Sequence, residues 1–121
     1  MTSWALIVAG ILSALAGIVH SWLGERRILG VLIGDKAARP RVPRNIVRWA
    51  WHLTSFAWIV CGVVLSVYAV LPPDRAGRIV IAILGAMLLV NALVCVVAGG
   101  IRHVGAPVFL LAGLAALASL V

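Results

Sequence analysis

Charge is confined to the edges of the apolar runs in this chain. No Asp, Glu, Lys or Arg precedes Glu25, none lies between Arg48 and Asp74, none between Arg78 and Arg102, and none follows Arg102. A helix needs about 20 apolar residues to cross a hydrocarbon core ~30 Å thick. The runs have that length, not the ~10 alternating residues of a barrel strand. With 64% hydrophobic and 11% charged residues in 121, the chain cannot coat itself in polar groups, since soluble domains carry about 25% charged residues. The expected fold class is an all-α integral membrane protein, a single four-transmembrane-helix bundle over residues 1–121.

The expected spans are about 3–24, 45–71, 78–101 and 106–121, with a basic cytoplasmic segment over 25–44. Within that segment the apolar stretch 28–34 is too short to span; it either prolongs the first helix or lies at the interface. Pro40 and Pro43 interrupt any helix there. The stretch PPDRAG (72–77) reads as a tight turn, and Pro107 suits the first turn of the last helix. The N-terminal MTS has no Lys or Arg, so the first span reads as a retained helix rather than a cleaved signal peptide.

Alternating spans put Arg26, Arg27, Lys36, Arg39, Arg41, Arg44, Arg48 and Arg102 on one side and Arg75 and Arg78 on the other. The positive-inside rule makes the first side cytoplasmic and places both termini on the non-cytoplasmic side. The expected location is a bacterial-type inner membrane, multi-pass. Net charge +7 then reflects topology and anionic headgroups, and nucleic acid is not an expected partner. Small residues at Gly10 and Ala14, Ser13 and Gly17, and Ala112 and Ala116 let helix backbones approach closely. They suit a tight bundle, a homo-oligomer or a partner membrane subunit equally. Cys61 and Cys95 lie inside apolar runs, where a free thiol behaves as a small hydrophobe.

The same alternation gathers all three histidines, His20, His52 and His103, at the cytoplasmic side. At ~1.5 Å rise per residue, His20 lies about 9 Å inward of Arg26 and His52 about 6 Å inward of Arg48; His103 adjoins Arg102 and is shallower. Imidazole suits zinc, copper and iron, and three imidazoles leave a fourth position open, as in catalytic metal sites. Two on facing helices could instead hold a b-type haem, with Arg26, Arg27, Arg48 and Arg102 near its propionates. Glu25 and Asp35 could serve as extra ligands or orient a ring. Separate structural hydrogen bonds, with Ser21, Thr54 or Ser55 as partners, explain the same rings without any cofactor.

Arg48, His52 and Ser55 fall at i, i+4 and i+7 and share one helix stripe, the first choice for a pocket wall. Trp51 and Trp58 lie on one face of that helix. Asn91, Cys95, Gly99 and His103 form a slowly drifting polar-small line on the third span, with Asn91 expected to bond a neighbouring helix. Trp22, Trp49 and Trp51 on the cytoplasmic side and Trp4 and Tyr68 on the outer side read as interface anchors. In size and span count the chain resembles the small multidrug transporters, a family with an essential glutamate inside its first helix. Here the first carboxylate is Glu25, at the helix edge, so the resemblance ends at format. The leading expectation is therefore a histidine-based metal or haem module for electron transfer or redox chemistry. The alternative is a scaffold or accessory subunit that binds anionic lipid or a partner; an oligomeric transporter is weakened by the lack of mid-span charge.

Overall fold

The structure is a computed structural model that describes residues 3–33, 43–100 and 102–121, and among these every regular element is a helix. Helix α1 (Ser3–Leu23) passes through a π-helical stretch, Gly24–Ile28, into a short α2 (Leu29–Ile33). Helices α3 (Arg44–Val70), α4 (Arg75–Gly99) and α5 (Gly105–Ala118) follow. Three stretches are long and apolar enough to cross a membrane, Trp4–Val31, Arg44–Val70 and Arg75–Gly99, and Gly105–Ala118 is a shorter apolar helix. Fourteen residues give α5 a length of about 21 Å, less than the ~30 Å of a bilayer core.

The residues after Glu25 prolong the first helix instead of starting a separate interfacial one, at least as far as Ile33. Asp35, Lys36, Arg39 and Arg41 of the expected basic segment lie outside the described residues. The third helix begins at Arg75, three residues before the expected span. Asp74 caps it, its carboxylate accepting the Gly77 N–H at 2.7 Å, which satisfies an otherwise orphaned donor of the first turn. At the other end Gly100 takes φ 78° and ψ 171°, a positive-φ extended conformation essentially restricted to glycine, and the helix stops there. Pro72 and Pro73 follow α3 directly and stop it.

Helix α1 packs chiefly on α3, α4 on α5, and α1 on α5; α3 and α4 touch little although only four residues join them. The α1–α3 seam is close because glycine faces backbone on both sides. A Cβ on Gly10 would lie 2.7 Å from the Gly62 carbonyl oxygen, and one on Gly62 would strike the Gly10 carbonyl. Ser13 adds a buried hydrogen bond across the same seam, donating to the Trp58 carbonyl at 2.8 Å. Leu6, Leu65, Ile81, Leu88 and Phe109 fill a common core drawn from all four long helices. The outward faces remain apolar: Val31, Val70 and Val97 are each more than three-quarters exposed, an unusual exterior for a chain surrounded by water.

Candidate functional site

The π-helical stretch sets up the polar end of the α1–α3 seam. The Leu29 N–H reaches back five residues to the Gly24 carbonyl, so one extra residue is accommodated in that turn. Single π turns inside α-helices recur at functional sites. Gly24 is buried against the Trp51 indole, which a Cβ there would strike. That indole lies across α1, its Nε1–H donating to the His20 carbonyl at 3.0 Å.

Two histidine–serine bonds then cross the seam in opposite directions. His20 of α1 meets Ser55 of α3 (Nδ1 to Oγ 2.9 Å), and His52 of α3 meets Ser21 of α1 (Nδ1 to Oγ 2.7 Å). Their hydrogen-bond surroundings assign opposite tautomers. The Ser55 hydroxyl donates to the Trp51 carbonyl at 3.3 Å, so it accepts from His20 Nδ1–H, and the His20 lone pair falls on Nε2. The second nitrogen of His52 contacts Glu25, Nε2 to Oε1 2.8 Å. An ionised carboxylate only accepts, so Nε2 of His52 carries the proton and Nδ1 receives the Ser21 hydroxyl. Arg48 Nε holds the same Glu25 oxygen at 3.1 Å.

The two rings also leave the seam on different sides. His20 lines a cavity of about 570 Å³ together with His103, Trp51, Trp58, Asn91, Cys95 and Phe109. Its ring stacks on Trp51 (centroids 4.1 Å apart, planes 5° from parallel) and meets Trp58 edge-on at 4.7 Å; Trp58 in turn meets Phe109 at 4.5 Å. Thr54 of α3 and Val94 and Ala98 of α4 line the same cavity, at the loosely packed edge between those two helices. His52 and Ser55 are not among its lining residues. Ser21 and Glu25 instead border a separate shallow groove with Ile18, Trp22, Arg26 and Ile59.

The expected site residues therefore divide. Trp51, Trp58, Asn91 and Cys95 line one cavity, as the helix stripes suggested, and Ser55 holds the His20 ring. Arg48, His52 and Ser55 do share a stripe, and it faces α1. His52 has both nitrogens engaged by protein. His103 reaches the cavity, but its Nδ1 accepts the Gly105 N–H at 3.1 Å, which leaves its proton on Nε2. Among the described residues, no group of three or more His, Cys, Asp or Glu side chains is placed to hold a metal ion. Asn91 bonds its own helix, Nδ2 donating to the Met87 carbonyl at 2.8 Å, rather than a neighbour. Arg26 lies over the Trp22 ring at 5.2 Å; Arg27 and Arg102 are exposed. Of the three hydroxyls named as partners for the rings, Ser21 and Ser55 meet His52 and His20, whereas Thr54 donates to the Ala50 carbonyl of its own helix; sequence reasoning missed Phe109 as a cavity wall.

No family model matches the chain, and no curated protein or solved structure matches it.

Proposed function

We propose that this chain is a small multi-pass membrane protein that folds as a four-helix transmembrane bundle in a bacterial-type inner membrane. Its basic end is cytoplasmic and both termini lie outside. In this reading it serves as a redox cofactor module, with a b-type haem beside His20. The observation that carries the proposal is the His20 environment: Nδ1–H is tied to Ser55, while Nε2, with no hydrogen-bond partner among the described residues, belongs to a ring that lines an aromatic cavity. A histidine ligand is ordinarily oriented in this way, its other ring N–H donating to a fixed acceptor.

Haem fits the donor set better than a bare transition-metal ion. A zinc-type site takes three or four protein ligands, whereas haem iron brings four nitrogens in its macrocycle and can be held by a single axial histidine. Of the three imidazoles, His20 is the cavity-lining ring whose lone pair has no hydrogen-bond partner among the described residues. His103 offers Nε2–H, a donor instead of a ligand, and Arg102 beside it is a cation for a propionate. Bound haem would supply one-electron redox chemistry; the chain's own part is to orient the imidazole, exclude water with Trp51, Trp58 and Phe109, and present a donor from His103.

Detergent-purified protein reconstituted with haem should show a sharp Soret band at one haem per chain. His20→Ala should abolish it, and His52→Ala should retain it. Absence of the band in the parent protein, or equal loss in both variants, overturns the reading. A scaffold that captures anionic lipid is favoured by one observation, the Arg26 guanidinium stacked on an exposed Trp22. Deletion of residues 36–44 should weaken vesicle binding in that case and leave haem content unchanged.

A further inference from the structure

On the far side of the α1–α3 seam from the cavity, Ser21, His52 and Glu25 lie in line. The hydroxyl sits 2.7 Å from Nδ1 of the imidazole, and Nε2 sits 2.8 Å from the carboxylate. A nucleophile within ~2.6–3.2 Å of a base, with that base oriented by a third group, is the diagnostic arrangement of an activated serine. Such triads are recognised by geometry and roles, not by chain order or fold. The tautomer is the one required: the Nδ1 lone pair faces the Ser21 proton, and the carboxylate holds Nε2–H. Glu25 is itself fixed by Arg48 Nε at 3.1 Å, so the orienting group is held from two directions.

A second observation gives this line a place for substrate. Ser21 and Glu25 border a shallow groove whose other walls are Ile18, Trp22, Ile59 and Arg26. The isoleucines and the indole suit an alkyl chain. Arg26 lines the same groove and supplies it with a cation; offsetting the negative charge that develops on an acyl carbonyl ranks among the largest catalytic effects.

We propose that Ser21, His52 and Glu25 form a hydrolytic site for carboxylic esters bearing an apolar acyl chain. Ser21 Oγ attacks the ester carbonyl carbon while Nδ1 of His52 takes the hydroxyl proton. The carbon–oxygen bond to the alcohol breaks, His52 returns the proton to the leaving alkoxide, and the acyl group remains on Ser21. Water then attacks that acyl carbonyl, His52 takes the water proton and passes it to Ser21 Oγ, and the free acid leaves. Ser21 and His52 are the catalytic residues. Glu25 is a positioning residue, acting through His52.

The test uses the full chain in detergent micelles, a fluorophosphonate probe and p-nitrophenyl butyrate. Ser21 should be the residue phosphonylated, as mapped by mass spectrometry. Ser21→Ala should reduce hydrolysis to the buffer rate, and His52→Ala should lower it about a hundredfold. Glu25→Gln should lower kcat and leave KM unchanged. Ser66→Ala, at a hydroxyl bonded to the Gly62 carbonyl elsewhere on α3, should match the parent. An unlabelled Ser21 in the parent protein overturns the proposal without reference to any variant, as does hydrolysis that survives Ser21→Ala. The haem reading stands or falls separately, on the Soret band.

Discussion

His20 and His52 occupy comparable depth on adjoining helices, and each meets a serine from the facing helix. They differ in what lies behind the second nitrogen. Behind His52 is a carboxylate, which holds the proton on Nε2 and turns the Nδ1 lone pair to a hydroxyl. The second nitrogen of His20 has no hydrogen-bond partner among the described residues, and the ring lines the cavity, while Ser55, already donating to a carbonyl, takes the Nδ1 proton. One residue type thus presents a base on one face of the seam and a ligand atom on the other. The lesson is that the acceptor opposite each ring, and not its depth or its helix, assigns its chemistry.

The harshest way to break this comparison is to part the helices that carry both arms. Gly62→Leu places a side chain against the Gly10 backbone, which cannot rotate away as a flexible side chain would. Unfolding in detergent should show a loss of at least about 3 kcal/mol, with both the Soret band and ester hydrolysis reduced together. Gly24→Val is a sharper tool. It drives Trp51 off α1, removes the indole bond to the His20 carbonyl, and should cost about 1–3 kcal/mol. Tryptophan emission should change with it. The His20 arm should suffer more, because Trp51 stacks on that ring.

Ser55→Ala tests the tautomer assignment directly. Without an acceptor the Nδ1 proton is no longer fixed, and haem affinity measured by titration should fall about tenfold. Ser21→Ala should leave that affinity unchanged. The smallest expected effect belongs to Arg48→Ala. That ion pair is largely exposed, and exposed pairs contribute at most about 1 kcal/mol. Thermal unfolding should barely move, and a large drop would mean that Glu25 does more structural work than its exposure suggests.

The chain's charge layout and hydropathy made the helices legible. Placing no charge between Arg48 and Asp74 leaves little choice but one long helix there, and helical spacing put Trp51 with Trp58, and Asn91 with Cys95, on common faces; all four line the same cavity. Helix starts were less legible, although Asp74 followed by Gly77 at capping distance was a signal available for the one at Arg75. Pairing was harder still. Periodicity shows which residues share a face, but only the meeting of two helices decides whether His20 faces His52 or each finds a serine. Asn91 illustrates the same gap: its amide turns back on Met87, a local bond that competes with any bond across helices.

The π turn at Gly24–Ile28 has a consequence for how this chain tolerates change in length. Deleting a single residue there would restore ordinary winding, about 100° per residue, and leave the helix beyond Ile28 facing much as before, while the residues inside the stretch take new angular positions. Glu25 and Arg26 would trade places with their neighbours while their identities stayed the same. In that stretch, spacing is itself chemical information, and a shortened variant with every functional side chain intact should behave like one that had lost its carboxylate.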